Sequence, residues 1–337
     1  MSLAVQVLGG PGCDNALFVR VNNTGQSINR LLFDCGDGCP HALDPSDVQQ
    51  IDHLFFSHQH MDHIGGFDCF FRLTFDRTDR PNHLWGPPGT SRILHHRLRG
   101  FQWKLAAGTP AAWHIHDIEA GAVRTSRFDL ADAFEAMSVT GERSSLEPLL
   151  EGDGFTVEAR LLDHGIPSAA YLVREATHVN VDQGRLAAAG LTPGPWLKRV
   201  RGPAAAAGET VTVGDRVVDL ATLQDDLLVH TPGESIAYLT DFRLDEQTLP
   251  ETATWLRGAD TLVCDCQYHS TDADLAERNR HMTAAATAKL ATAAGVKRLV
   301  LFHVSSRYDV EGWRGLLEEA RTVFPQSTYP ESWGITL

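Results

Sequence analysis

Three histidines and an aspartate crowd into six positions of the stretch Ser57-His58-Gln59-His60-Met61-Asp62-His63-Ile64-Gly65-Gly66. Imidazole and carboxylate together suit zinc or a similar first-row ion, whereas an all-oxygen calcium or magnesium site would not use three histidines. His58 and His60 are two residues apart, so at an extended strand end their rings project to the same side. Asp62 and His63 are neighbours and diverge, which suits a second ion better than the first. Gly65-Gly66 lets the backbone pass close to whatever sits there. The bland alternative is a histidine-rich surface turn with incidental metal affinity. Its weakness is that ligand-like residues recur downstream.

The apolar run His53-Leu54-Phe55-Phe56 reads as a buried strand leading into these ligands. The same arrangement repeats along the chain. Arg30–Phe33 ends in Asp34, Phe155–Leu162 in Asp163-His164, Ile236–Leu239 in Thr240-Asp241, Thr261–Cys264 in Asp265, and Leu299–Phe302 in His303. Residues at successive strand ends lie on one rim of a sheet, so these distant positions can converge. Leu3–Leu8 and Ala16–Val21 read as paired strands around Gly9-Gly10-Pro11-Gly12. Helical patterns fall at Ile64–Phe75, at Ser91–Phe101 with Thr90 or Ser91 as cap, at Thr283–Ala294 closed by Gly295, and at Val310–Phe324. The stretch from Gly121 to Gly154 has no clear period and reads as connecting structure. Strand-rich segments followed by helices, twice over, imply an α/β (α+β) fold with two sheets between helical layers.

Composition frames these readings. The 337 residues are 43% hydrophobic, ordinary for a globular protein. No run is long enough to span a bilayer and no leader precedes the first apolar segment, so a soluble, cytoplasmic protein is expected. Six cysteines at 13, 35, 39, 69, 264 and 266 lack zinc-ribbon spacing and read as reduced thiols. A formal charge of −14 argues against a protein that coats nucleic acid nonspecifically, though not against a local basic patch.

One such patch lies in the distinct segment 175–234. Pro193-Gly194-Pro195 fixes a rigid knuckle, and Lys198, Arg199 and Arg201 follow it within a few positions. A solvated loop is the usual reading of such a cluster. The functional reading is a protruding arm that grips phosphates.

The motif His58-Gln59-His60-Met61-Asp62-His63 resembles that of the metallo-β-lactamase superfamily, and more narrowly the chain resembles the ribonuclease Z family of tRNA 3′-processing endonucleases. Phe33-Asp34-Cys35-Gly36-Asp37-Gly38 is similar to that family's Phe-Asp-Cys-Gly-Glu-Gly, and Pro193-Gly194-Pro195 to the Pro-Gly-Pro of its tRNA-binding arm. Arg280-His281-Met282-Thr283 is similar to its His-Ser-Thr segment, and His303-Val304-Ser305-Ser306-Arg307-Tyr308 to its last ligand segment. The resemblance implies a four-layer αββα sandwich over residues 1–337, with a substrate arm inserted at 175–210. It also implies two zinc ions per subunit, with manganese as an alternative. His58, His60 and His164 would hold one ion, Asp62, His63 and His303 the other, and Asp241 would bridge. A hydroxide shared by the ions would attack a phosphodiester of precursor tRNA. Asp62 would orient that nucleophile, and His281, oriented by Asp265, would protonate the leaving oxygen. Ser305 and Arg307 would steady phosphates, Asp34 would orient a ligand histidine, and the active species would be a homodimer.

The chain also departs from the family. Cys264-Asp265-Cys266-Gln267 stands where His-Glu-Ala-Thr is usual, so the carboxylate beside His281 is one methylene shorter. Thr240-Asp241-Phe242 replaces Gly-Asp-Thr, and the stretch 102–154, with His114-Ile115-His116 read as surface, has no family counterpart. Two alternatives therefore stand beside the tRNA endonuclease. One is a phosphodiesterase or other hydrolase of a small substrate, and the other is a metal-binding protein without turnover.

Overall fold

The computed structural model describes residues 3–22, 28–104, 108–144 and 148–336. They divide into two compact units: the segment 175–233, and the remainder of the described residues. Within the larger unit the described residues form an eight-stranded and a seven-stranded sheet.

Strands of the first sheet follow chain order from Leu3–Leu8 to Ser138–Arg143. Ile28–Phe33, His53–Phe55, Asn82–Gly86 and Ala112–Ile118 run parallel at its centre, with antiparallel pairs on both flanks. In the second sheet Ser235–Leu239, Thr261–Asp265 and Arg298–Phe302 are parallel, and Pro167–Glu175 pairs antiparallel with the first of these. The central strands of both sheets are buried on two faces, which is why they read as continuous apolar runs rather than alternating ones. Phe33, Phe55 and Trp85 face Tyr171, Tyr238 and Phe302 between the sheets. Their neighbours Leu32, Leu54 and Phe56 point the other way, onto Phe67, Phe70 and Phe71 of the helix Phe67–Thr74. On the far side Leu262 and Cys264 pack under the helices Thr248–Trp255, Ala284–Ala294 and Val310–Val323. The layers are thus helix, sheet, sheet, helix.

Several local expectations change. The helix expected over Ile64–Phe75 is two pieces, Met61–Ile64 and Phe67–Thr74, separated by Gly65-Gly66. A Cβ at Gly66 would lie 2.4 Å from the Gly36 carbonyl oxygen, so the break lets the two loops touch. The next helix begins at Thr90 behind Gly89 (φ 94°) and has no side-chain cap. Thr90 Oγ1 instead donates to the Pro87 carbonyl and accepts from Gln59 Nε2 at 2.7 Å. Thr283 does cap its helix, through Ala286 N–H, and Gly295 ends it at φ 64°. The region 121–154 is not connecting structure. It holds the strands Val123–Asp129, Ser138–Arg143 and Leu150–Gly152, while 145–147 lie outside the described residues. Nor is His114-Ile115-His116 a surface stretch. It belongs to the strand Ala112–Ile118, and His116 is buried.

The smaller unit has its own core of Leu186, Trp196, Val200, Val213, Leu220, Leu223 and Leu227. Its elements extend to the strand Leu228–Thr231, beyond the 175–210 that the sequence suggests for an arm. All six cysteines are unpaired, and Cys35, Cys39, Cys264 and Cys266 are buried. No helix among the described residues is long and apolar enough to cross a membrane.

Candidate metal centre

Strand ends deliver the site. Asp34 follows Ile28–Phe33, Ser57-His58 follows His53–Phe55, His164 follows Phe155–Asp163, Asp241 follows Ser235–Leu239, and His303 follows Arg298–Phe302. Asp34, Asp241 and His303 all have left-handed backbone, at φ 58°, 50° and 51°. L residues with side chains adopt that region at a cost of roughly 1 kcal/mol or more, so packing must hold them there. The turn it makes swings each side chain over the rim of its sheet.

Ligand-type atoms gather in three overlapping groups, each within 4.8 Å. They are His58, His60, His164 and Asp241; Asp62, His63, Asp241 and His303; and Asp241, Asp265, His281 and His303. Asp241 belongs to all three. Its Oδ2 lies 3.4 Å from His164 Nε2 and 3.7 Å from His58 Nε2. Its Oδ1 lies 3.4 Å from His63 Nε2 and 3.1 Å from His303 Nδ1. Asp62 and His63 converge instead of diverging as their spacing suggested: Asp62 Oδ2 is 3.2 Å from His63 Nε2 and 3.4 Å from His303 Nε2. The one-turn helix Met61–Ile64 brings them to the same side.

Hydrogen bonds behind the rings set which nitrogen faces the cluster. Asp34 is fully buried and accepts from Ser57 N–H at 2.7 Å and from the hydroxyls of Ser57 and Tyr238 at 2.8 Å each. A carboxylate so surrounded only accepts, so His63 Nδ1, at 2.8 Å, is the donor and Nε2 is the nitrogen turned to the cluster. Ser57 Oγ, having given its proton to Asp34, accepts from His58 Nδ1 at 3.1 Å. The Arg280 carbonyl accepts from His164 Nδ1 at 3.0 Å. Nε2 of both His58 and His63 is buried with no hydrogen-bond partner among the described residues. Orphaned lone pairs aimed into a cluster with two carboxylates are what a divalent cation satisfies, so the donor set fits a metal pair.

The surroundings shift the two halves of this centre in opposite directions. Burial pushes His58 down to about 2 and lowers His60. Burial also opposes charge on His63 and His303, but there the carboxylates win. Asp241 and Asp34 raise His63 well above its ordinary value, and Asp241 with Asp62 lifts His303 to about 9. Asp62 and Asp241 are held far below the carboxylate range despite burial, by the close approach of the His303 and His63 rings.

Beside the cluster, His281 Nδ1 lies 2.8 Å from Asp265 Oδ2, so the shorter carboxylate still reaches its histidine. Gln267 N–H donates to Asp265 Oδ1 at 2.9 Å, and the Gln267 side-chain amide meets His303 Nδ1 at 3.1 Å. Ser305 Oγ accepts from Arg307 N–H at 3.3 Å, and the Arg307 guanidinium lies 5.8 Å from the Tyr268 ring centre and 6.0 Å from that of Tyr308. Pro193, Gly194, Pro195, Lys198, Arg199 and Arg201 all belong to the smaller unit. Lys198 and Arg201 are exposed, but Arg199 Nε donates to Glu209 Oε1 at 2.8 Å and is largely neutralised. Sequence reasoning missed Tyr238, Gln267 and Arg280. For Tyr238 a signal existed, since a phenol inside an apolar strand needs a buried partner.

Comparison with known proteins places this geometry. Over 331 residues the chain is 46% identical to ribonuclease Z of Deinococcus radiodurans, covering 98% of both chains. The chain belongs to the ribonuclease Z family. Its residues 219–304 match the family described as "Beta-lactamase superfamily domain", and residues 15–127 that described as "Anti-Pycsar protein Apyc1". Among solved structures, the metallo-β-lactamase fold protein YhfI from Bacillus subtilis superposes with a TM-score of 0.57 at 16% identity, covering 98% of this chain and 96% of that one. The short form of human tRNase Z gives 0.52 at 18% identity with the same coverage. These likenesses establish the metallo-β-lactamase fold, and with the family membership they make the chain a metal-dependent hydrolase.

Proposed function

We propose that the protein is an endoribonuclease that cuts precursor tRNA at its 3′ end, using two zinc ions, or manganese in their place, in each subunit of a cytoplasmic homodimer. The observation that carries this reading is Asp241, within 3.7 Å of four imidazoles and shared by both ligand groups. His58, His60 and His164 would hold one ion, and Asp62, His63 and His303 the other. Two such ions, when bound, activate a water and neutralise the charge that develops on phosphoryl oxygens.

The remaining steps belong to the chain's own groups. Asp62 is bonded through one carboxylate oxygen, Oδ2, which leaves the other to orient the attacking water. His281 has Nδ1 fixed by Asp265, so Nε2 is the atom that gives a proton to the leaving 3′-oxygen. Arg307 and Ser305 steady the flanking phosphates, and Lys198 and Arg201 bind phosphates of the RNA.

A paired assay tests the proposal. Zinc-loaded protein is given a 3′-extended tRNA and, separately, a chromogenic phosphodiester. The expected result is one endonucleolytic cut that leaves a 3′-hydroxyl on the tRNA side. Hydrolysis of the small diester with no cut in the tRNA would favour a small-molecule phosphodiesterase on the same metals. The neutralised Arg199 is the observation on that side.

A further inference from the structure

We propose that Asp163 and Arg280 form a latch that positions a metal ligand and the proton donor together. This rests on the reading of the cluster as a dinuclear hydrolytic centre. Asp163 and His164 are consecutive, and so are Arg280 and His281. The two dipeptides are cross-linked twice. The Arg280 guanidinium pairs with the Asp163 carboxylate, and the Arg280 carbonyl accepts from His164 Nδ1 at 3.0 Å. The second bond fixes the tautomer that turns His164 Nε2 toward Asp241. The next residue, His281, lies with its ring centre 4.9 Å from that of His164.

Arg280 is an unusual residue for its place. It closes the helix Ala273–Asn279 in the left-handed conformation, at φ 57° and ψ 51°. Glycine or asparagine fills such a position with less strain. An arginine there needs a reason in its side chain, and the ion pair to Asp163 supplies one. The other Asp163 oxygen is also engaged: Oδ1 accepts from Gly165 N–H at 2.9 Å, which holds the turn just after His164. Arg243 braces both sides, its N–H donating to the Asp163 carbonyl at 2.9 Å and its guanidinium pairing with Glu277 at 2.7 Å. His281 N–H returns to the Ala276 carbonyl at 2.9 Å, so the proton donor moves with the same helix end.

Both latch side chains are about half exposed, at 43% and 57%. Exposed ion pairs add little to global stability, so this one is better explained by local alignment than by folding. Arg280 acts through His164 and His281 and is a positioning residue.

The test uses full-length protein carrying Arg280→Asn, Asp163→Asn, both together, or Arg280→Lys. Asparagine tolerates the left-handed backbone, so the first variant removes the guanidinium and keeps the fold. Zinc affinity is measured against a competing chelator, kcat and KM on a chromogenic phosphodiester, and Tm by calorimetry. The latch predicts that each asparagine variant binds zinc about 10-fold more weakly and loses about 10-fold in kcat at unchanged KM. The double variant should be no worse than either single one, Arg280→Lys should recover most of both losses, and Tm should hardly move. Wild-type zinc affinity and kcat in both single variants would overturn it. So would a raised KM in Arg280→Asn with Asp163→Asn silent, which would make Arg280 a substrate contact. Wild-type protein that takes up no zinc would sink the metal reading itself, and that failure is visible before any variant is made.

Discussion

Two histidines beside His164 are given opposite parts. His60 has its ring centre 5.2 Å from that of His164 and shares its ligand group, whereas His281, at 4.9 Å, is tied to Asp265 and faces the cluster from the side. Substitution separates them. His60→Ala should lower the metal-to-protein ratio and abolish turnover. His281→Ala should leave the ratio unchanged and slow the chemical step by about 100-fold or more, the usual worth of a general acid. Metal analysis beside single-turnover kinetics reads both; loss of metal in the His281 variant would show that it is a ligand. The ligands themselves were legible because each stands where an apolar run stops, and strand ends must meet on a rim. Their supports were not. Tyr238 reaches Asp34 across 204 positions and Arg280 reaches His164 across 116, and no local pattern carries an interaction of that range.

At the scale of the element, the first sheet holds a second row of histidines that chemistry at the rim does not use. His53, His83 and His114 are register partners on three adjacent parallel strands, and His116 lies two residues beyond His114. His83 Nδ1 meets His116 Nε2 at 3.0 Å, His116 Nδ1 meets Thr125 Oγ1 at 2.9 Å, and Trp85 Nε1 donates to His53 Nδ1 at 3.2 Å. Protonating these rings would set donors against donors. The charges nearest the row, Arg77 by His53 and His83, Arg143 by His116, and Arg127 with Asp129 by His114, are mostly cationic as well. Burial and these neighbours push His83 down to about 4, His53 to about 3 and His116 to about 2. Histidines of the unfolded chain titrate near 6.5, so the folded state binds fewer protons below that pH. The stability these rings contribute is complete above about 6.5 and is lost as pH falls toward 4 and below. The slope is at most about 1.4 kcal/mol per pH unit for each histidine. His116→Gln keeps polar partners for His83 and Thr125 without a titrating ring. With metal removed by chelator from both proteins, Tm of the variant should fall less between pH 6.5 and 4 than that of the wild type. Parallel curves would contradict the account. Sequence periodicity failed here because a strand buried on both faces shows neither alternation nor helical spacing. That is how the strand carrying His116 came to look like a surface stretch, whereas Ser138–Arg143 looked like connecting structure because it is exposed along nearly its whole length.

For the molecule as a whole, the difficulty is charge: a chain of net −14 is read as acting on a polyanion. The two cations proposed for the centre would offset part of this, and the basic cluster of the smaller unit is the candidate for the rest. That unit has a core of its own in Leu186, Trp196, Val200 and Leu220, which can hold a set of binding groups. Within it the basic cluster divides. Arg199 is committed to Glu209 and the Pro203 carbonyl, and Arg199→Ala should therefore loosen this unit before it weakens any hold on phosphate. Lys198 and Arg201 are exposed, and they are the pair to remove. The double variant Lys198→Ala with Arg201→Ala should raise KM for precursor tRNA by about 10-fold. It should also flatten the salt dependence of binding by roughly 0.7 to 0.9 in log–log slope for each phosphate no longer neutralised. Hydrolysis of a chromogenic phosphodiester, which carries no further phosphates to be gripped, should be untouched. Only the combination is diagnostic: a change in both substrates would point to damage at the metals, while unaltered tRNA cleavage at every salt concentration would remove Lys198 and Arg201 from the RNA path and leave its electrostatics to the metal ions and Arg307.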